Sequence, residues 1–376
     1  LIVKILQLSS ARTFGGGERH FADLSNALSE RGQEVYAALS PASPLREKLT
    51  RIPGANISTL PLRNALDLAS ASQLARFIHD HEIELVHAHL ARDYPLAAYA
   101  ARRAGERVPF VLTRHVPFAL NRLHRFTLAN VARVIAVSEG VARGLRQQRI
   151  FPGEKIRVIP NGISVAGLDT ALKDFDRARF RQTLQPASAA LIVGTIGELS
   201  PVKGQEEFVR AAASIIRREN FSRAQFLIIG EDRSPRAPTR TLLEKLIAEH
   251  ELQGHVRLLG YVSELTPLIN SLDLYVSASR AEAFGLATLE ALMCGIATVA
   301  TGTDGARELI EDGVTGKLVP IGDADALARA MLELLRNDDE RTRISERARE
   351  SARARFSLEQ MVEATEKVYR EVLAAG

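Results

Sequence analysis

Glu282 and Glu290 stand eight residues apart in Glu-Ala-Phe-Gly-Leu-Ala-Thr-Leu-Glu, after the apolar run Leu274–Ser277 and before Gly295. Glu282 is expected in a loop and Glu290 about one turn into the following helix, so both carboxylates can face one ligand. A sugar ring or a ribose offers hydroxyl donors to such acceptors. Gly285 leaves room for close backbone approach, and the backbone N–H groups between the two glutamates suit a diphosphate at a helix N-terminus. As isolated acids the pair would be solvated surface groups, and the pattern leaves both readings open.

Two further loops carry anion chemistry. In Gly197-Glu198-Leu199-Ser200-Pro201-Val202-Lys203-Gly204, Lys203 precedes an expected helix Gln205–Arg218 and offers a compact positive charge to a phosphate. Ser9–Arg19 holds Gly15, Gly16 and Gly17 ahead of a helix expected from about Glu18 to Arg31, where N–H groups and the helix dipole favour an anion. It is not the dinucleotide fingerprint: His20 takes the place of the third glycine, and no acidic residue ends the second strand at Leu39-Ser40. A solvated lysine and a plain tight turn are the alternatives.

Other constellations read as structure. His87 and His89 share one strand face, but no third metal ligand is apparent, so no metal is expected there. Asp174/Asp176 and Asp323/Asp325 fall in a linker and at a helix start, and Cys294 reads as core. No Ser/His/Asp triad can be assigned. Leu120, Leu123, Thr127, Leu128 and Val131 can share a helix face beside Arg122 and Arg125, which suits an anionic membrane surface, a solvated arginine face or an acceptor pocket.

The elements that must position these residues alternate along the chain. Strand-like runs Val3–Leu8, Val35–Leu39, Ile57–Leu60, Leu85–His89, Phe110–Thr113, Val134–Val137 and Ile156–Ile159 are separated by segments of helical period. After Pro160-Asn161-Gly162 a polar stretch, Ala166–Ala189, suits a linker and an entering helix. The alternation then resumes with Leu191–Ile196, Phe226–Ile229, Val256–Leu259, Leu274–Ser277, Ile296–Ala300 and Leu318–Val319, and from Asp323 the pattern is helical. Two Rossmann-like α/β domains follow, with ligands expected at the carboxyl ends of their strands and in a cleft between them. The chain opens on Leu1 without methionine, and Leu1–Leu8 reads as strand rather than signal peptide.

Composition sets the outer bounds. At 46% hydrophobic and 25% charged, the chain excludes collagen-like and disordered classes, and its single cysteine suits a reducing cytoplasm. The net charge of +4 divides into +9 over residues 1–165 and −5 over 166–376, with +8 over Arg102–Arg149 alone. The first half should face something anionic. Nucleic acid is disfavoured by the lack of a binding motif, of tryptophan, and of aromatics beyond 5%.

The Glu-x7-Glu block with its Phe-Gly, the Gly-x-Leu-x-Pro-x-Lys-Gly-like loop, Gly-Gly-x-Glu-Arg, and Pro160-Asn161-Gly162-Ile163 together resemble the retaining, nucleotide-sugar-dependent glycosyltransferases of family 4 over essentially the whole chain. The resemblance implies the GT-B fold and a role for each matching residue. Glu282 would hold donor-sugar hydroxyls, with Ala283, Phe284 and Gly285 giving backbone contacts. Glu290 would hold the ribose, Lys203 the diphosphate, and His115 would lie close to the transferred sugar. Gly16 and Gly17 would approach the diphosphate from the other domain. The family usually carries an arginine where this chain has Glu198; Arg233 and Arg12 are the candidates to supply that charge.

The expected architecture is therefore an acceptor domain over 1–165, a donor domain over 166–356, and a final helix, 357–376, that returns to the first. The expected activity is sugar transfer from a nucleoside diphosphate sugar to an acceptor hydroxyl with retention, in bacterial envelope polysaccharide or glycolipid synthesis, without metal or cofactor. The acceptor would be a glycan or lipid-linked molecule, and the protein cytoplasmic, peripheral on the inner membrane face. A GT-B nucleotide-sugar 2-epimerase and a non-catalytic sugar-nucleotide-binding or membrane-docking protein are the alternatives.

Overall fold

The computed structural model describes residues 2–65, 67–104, 108–184, 191–262 and 264–375. Contacts divide the chain into a first unit, Leu1–Gly162 with Leu358–Gly376, and a second, Ile163–Ser357.

The first unit is a seven-stranded parallel sheet: β1 (Lys4–Ser9), β2 (Glu34–Leu39), β3 (Ile57–Thr59), β4 (Leu85–Ala88), β5 (Phe110–Arg114), β6 (Val131–Ala136) and β7 (Ile156–Val158). The strands lie in the order β3-β2-β1-β4-β5-β6-β7. Each was expected from its β-branched run. β6 starts three residues before the expected Val134: Val131 and Arg133 pair with Phe110 and Val111 of β5, and Ala132 between them is the extra residue of a bulge in β6. The first helix, Gly16–Glu30, starts two residues before the expected Glu18. The Glu18 carboxylate reaches back to accept the N–H of Gly15 at 3.0 Å, so Gly16 and Gly17 form the first helical turn rather than a loop.

The second unit is a six-stranded parallel sheet: β8 (Leu191–Ile196), β9 (Ala224–Ile229), β10 (Val256–Gly260), β11 (Leu274–Ser277), β12 (Thr298–Thr301) and β13 (Lys317–Val319), in the order β10-β9-β8-β11-β12-β13. Three local expectations change. The helix expected over Gln205–Arg218 is α-helical only to Ala213; Ser214–Arg218 is a π-helical turn that keeps Ile215 buried and leaves Arg217 and Arg218 exposed. The polar linker carries two capped helices, Val165–Leu172 behind Ser164 and Arg177–Thr183 behind Asp176. Its end, 185–189, lies outside the described residues, as does Glu106 of the basic stretch. The helix face proposed for Leu120–Val131 does not form: only His124–Thr127 is helical, Leu120, Leu128 and Val131 are buried, and Leu123 and Thr127 are exposed.

Asp323 caps the helix Ala324–Arg336, and Cys294 is buried, its thiol pushed up to about 12 by desolvation and by Glu290. Among the described residues no helix is long and apolar enough to cross a membrane.

The last helix, Leu358–Ala374, belongs to the first unit. Met361, Val362, Val368, Tyr369 and Val372 enter the core around Ile5, Phe21 and Ile135. Glu366 accepts from Arg31 and Gln33 at 3.0 to 3.1 Å, which fixes its register. Met361→Ala should therefore cost the first unit about 2–5 kcal/mol. Chemical denaturation followed by circular dichroism measures it; a loss below about 1 kcal/mol would show that this helix is peripheral to the core.

Candidate active site

Parallel sheets bind ligands at the carboxyl ends of their strands, where the winding reverses. In the second unit that point lies between β8 and β11. The loop after β8 carries Gly197–Gly204, and the loop after β11 carries Ala278–Gly285. Gly204 lets them meet. Its φ is +65°, and a Cβ there would lie 1.9 Å from the Ala278 carbonyl oxygen. The Arg280 N–H donates to the Val202 carbonyl at 2.7 Å and closes the contact. The consequence is an ion pair: Lys203 Nζ donates to Glu282 Oε2 at 2.5 Å, with the two side chains 30% and 19% exposed.

Neither acid of the Glu-x7-Glu block is a solvated surface group. Glu290, on the helix Leu286–Met293, is 1% exposed and accepts a hydrogen bond from the Thr266 hydroxyl. Ala283 and Phe284 are buried, Phe284 edge-on to Phe356 at 5.6 Å, so these two can present only backbone to a ligand. Gly285 caps the helix at φ +98°, a conformation unfavourable for other residues.

Glu198 is exposed on the β8 loop, and its carboxylate enters no ion pair among the described residues; its carbonyl accepts from Gln205 Nε2 at 3.0 Å. Arg233 is exposed on the neighbouring loop after β9, whose backbone is gathered by the Asp232 carboxylate through the N–H groups of Ser234, Thr239 and Arg240.

In the first unit the reversal lies between β1 and β4. The Gly15–Gly17 turn follows β1, His89 follows β4, and His115 follows β5. The His115 ring packs on Gly17, 3.5 Å from where a Cβ would stand. Arg12 is exposed in the same β1 loop. That loop is tied down by Asp93, which accepts from both the N–H and the hydroxyl of Ser10.

His115 is not isolated. Gln7 and His87 are register partners on β1 and β4. His89 Nε2–H donates to Gln7 Oε1 at 2.8 Å, which leaves His89 Nδ1 as an acceptor. His115 Nε2–H donates to that nitrogen at 3.3 Å. Gln7 Nε2 in turn donates to the Tyr369 hydroxyl at 3.2 Å, Tyr369 donates to His87 Nδ1 at 2.6 Å, and His87 Nε2–H donates to Thr113 Oγ1 at 2.8 Å. With the Gln7 amide oxygen facing His89, these bonds form one consistent donor-to-acceptor chain, in which neutral His115 carries its lone pair on Nδ1.

His20 completes the group, its ring centroid 4.7 Å from that of His115. Ring nitrogens of His20, His89 and His115 all lie within 4.8 Å of one another. The sequence expectation of no third ligand beside His87 and His89 is corrected for His89 alone: His20 on the first helix and His115 after β5 join it, while His87 stays outside the trio with both ring nitrogens bonded. The trio could hold a metal ion, although the bonds of His89 and His115 account for their geometry without one. Burial, with repulsion from the neighbouring imidazoles, holds His87, His89 and His115 well below the usual histidine range.

Sequence reasoning missed Gln7, His20, Asp93, Thr266 and Tyr369. The one available signal was Gln7, a polar residue inside the apolar run of β1, in a strand buried on both sides.

Two family models match. "Glycosyltransferase Family 4" covers residues 14–166 and "Glycosyl transferases group 1" covers 176–351. The chain is 26% identical to the N-acetyl-alpha-D-glucosaminyl L-malate synthase of Bacillus anthracis, over 96% of this chain and 94% of that one. It is 28% identical to the phosphatidyl-myo-inositol mannosyltransferase of Mycobacterium leprae, with the same coverages of 96% and 94%. The Anabaena protein Alr3699/HepE, crystallised with UDP and glucose, shares its fold at a TM-score of 0.85 and 23% identity, over 98% of this chain and 99% of that one.

His20 gives the site a measurable pH signature. Desolvation lowers it from 6.5 to about 4, partly opposed by the nearby Asn161 amide. At about 1.36 kcal/mol per pKa unit, its staying neutral is linked to ~3 kcal/mol of stability. That contribution is complete above pH 6.5 and is lost as pH falls towards 4, because the unfolded chain takes the proton first. Denaturation midpoints measured across this window should fall steeply for the native chain and less steeply for His20→Asn. Equal slopes would mean that His20 is solvated.

Proposed function

The chain belongs to glycosyltransferase family 4 and is a glycosyltransferase of GT-B fold, and from that premise we propose that it moves a sugar from a nucleoside diphosphate sugar to an acceptor hydroxyl with retention at the anomeric carbon. The observation that carries the proposal is the Lys203–Glu282 pair, an ammonium and a carboxylate side by side at the carboxyl edge of the second sheet.

In the proposed reaction the bond from the anomeric carbon to the leaving phosphate oxygen breaks, and its electron pair stays with the diphosphate. The acceptor oxygen bonds to the same face of that carbon, and its proton passes to the departing diphosphate oxygen. Lys203 neutralises the charge that develops there. Glu282 accepts from hydroxyls of the transferred sugar, Glu290 from the ribose, and the backbone of Ala283, Phe284 and Gly285 donates to the diphosphate. His115 Nδ1 accepts from a sugar hydroxyl, and the Gly16–Gly17 helix start contributes donors for phosphate. No step calls for a metal.

UDP and glucose in the Anabaena structure support a UDP-sugar as the first donor to test. The name of the mannosyltransferase relative supports a lipid-linked acceptor, with a glycan as the other candidate, in envelope polysaccharide or glycolipid synthesis. Peripheral association with an anionic membrane surface belongs to the same proposal. Incubation with UDP-, GDP- and ADP-sugars, with and without acceptor extract, tests the reaction. Release of nucleoside diphosphate and an altered free sugar, indifferent to acceptor, would overturn transfer in favour of epimerisation.

The two glutamates should fail differently. Glu282→Ala should lower transfer about a hundredfold, yet bind free nucleoside diphosphate at least as tightly as the native chain, because Lys203 is released from its partner. Glu290→Ala should weaken that binding about tenfold, near the 1.4 kcal/mol of a hydrogen bond lost from a charged acceptor. Calorimetric titration of both variants decides; equal losses would sink the assignment.

Glu198 should stay clear of the diphosphate, since Coulomb repulsion at intermediate dielectric would cost about several kcal/mol. Glu198→Gln should leave nucleotide affinity nearly unchanged, whereas Arg233→Ala or Arg12→Ala should weaken it. Tenfold tighter binding by Glu198→Gln would show that the carboxylate does oppose the phosphates.

A further inference from the structure

We propose that the segment 116–126, on the loop that follows His115, is a membrane-docking element that inserts apolar tips into the surface of an anionic phospholipid bilayer. Of the ten large apolar side chains exposed among the described residues, four lie here: Val116 at 39%, Phe118 at 59%, Leu123 at 65% and Phe126 at 73%. Scattered singly, such residues need no explanation; gathered on one short segment they mark an interaction surface.

Their exposure is built in. Leu120 and Leu128 are buried and pin the segment at two points. The Leu120 N–H donates to Gln148 Oε1 at 2.8 Å, and Arg114 Nη2 donates to the Phe118 carbonyl at 2.6 Å. Between the pins, the Leu123 N–H donates to Asn121 Oδ1 at 2.9 Å, and the one-turn helix His124–Thr127 sets Leu123 and Phe126 outward. The sequence alone grouped Leu120, Leu128 and Val131 with Leu123; the structure replaces them with Val116, Phe118 and Phe126.

Charge identifies the partner. Arg122 and Arg125 are exposed between the apolar tips, and no Asp or Glu occurs from 108 to 138. The neighbouring helix Tyr94–Arg103 ends in exposed Arg102 and Arg103, and the helix Glu139–Gln148 adds Arg143 and Arg146. The acid Glu139 is paired with Arg146. A segment of interspersed arginines and exposed bulky apolar tips matches headgroup phosphates above acyl chains, where apolar insertion and attraction to anionic lipid act together. Phe118 and Phe126 could stack on bases, but the aliphatic tips Val116 and Leu123 suit acyl chains instead, and binding to nucleic acid in place of vesicles is an outcome that would overturn the proposal.

Docking would hold His115, immediately before Val116, at the surface where a lipid-borne acceptor resides; this consequence rests on the proposed transfer reaction. Docking itself is tested on the full chain by sedimentation with vesicles of phosphatidylcholine alone, or mixed with phosphatidylglycerol, at low and high salt. The native chain should bind the mixed vesicles at least tenfold better, and lose that preference at high salt as the Debye length shortens.

The variant Phe118→Ser/Leu123→Ser/Phe126→Ser keeps every charge, and Arg122→Gln/Arg125→Gln keeps every apolar tip; each should bind mixed vesicles at least tenfold more weakly. Both alter exposed residues, so circular dichroism and UDP affinity should match the native chain. Native binding that ignores phosphatidylglycerol would overturn the proposal, as would undiminished binding by the serine variant, which would show general basic attraction alone. Failure of the native chain to bind or turn over any nucleotide sugar would overturn the transfer reaction and leave the vesicle result standing.

Discussion

A parallel sheet that grows to both sides of its first strand must reverse its winding once, because each crossover keeps the same hand. Both sheets of this chain do so beside their first strands, at β1/β4 and at β8/β11. At such a point the loops leaving adjacent strands turn to opposite faces and leave backbone and side chains uncovered between them. In the second unit Gly204 draws the two loops together again, since no side chain fits against the Ala278 carbonyl. Lys203 and Glu282 pair because of that one backbone approach. In the first unit the same reversal puts a glycine helix start beside two strand ends carrying histidine.

Desolvation then decides what those histidines can do. Four imidazoles lie together, so a proton on one would face both burial and its neighbours, and all are held neutral. Neutral imidazoles need donors and acceptors assigned, and the assignment begins far away in the chain. Tyr369, on the last helix, accepts from Gln7 and so turns the Gln7 carbonyl oxygen towards His89; His89 then fixes the tautomer of His115. Packing of the last helix and orientation of His115 are thus one structural event, which gives that helix a part in the site as well as in the core.

How much of this was legible in the sequence follows from what each feature depends on. The thirteen strands among the described residues were legible as short apolar runs, most plainly where a central strand such as β5 or β9 is buried throughout. The placement of Lys203 and Glu282 on loops after strands, and of Glu290 in the following helix, was legible because it depends on local sequence alone. The pairing of Lys203 with Glu282 was not, since it depends on two loops seventy-nine positions apart meeting at Gly204. The histidine group was read only as His87 and His89 because His20 and His115 arrive from other elements. The Leu120–Val131 face failed for a related reason: helical spacing says which residues would share a face, but tertiary packing took Leu120, Leu128 and Val131 into the core and left a single helical turn.

The Lys203–Glu282 pair also bears on what the second unit accepts. Without ligand, each charged group satisfies the other, so neither stands desolvated and alone. A ligand bringing only phosphate would draw Lys203 away and leave Glu282, 19% exposed, without its partner. A ligand bringing only hydroxyls would do the reverse to Lys203. Leaving a covered charged group unsatisfied is costly, and that cost exceeds the gain of a single new hydrogen bond. A molecule carrying both a diphosphate and an adjoining polyol ring satisfies both partners as it separates them. On the proposed reaction, the ion pair therefore disfavours each half of the donor alone and favours the two halves joined, so selectivity for an intact sugar nucleotide comes from charges that the ligand-free chain already holds together.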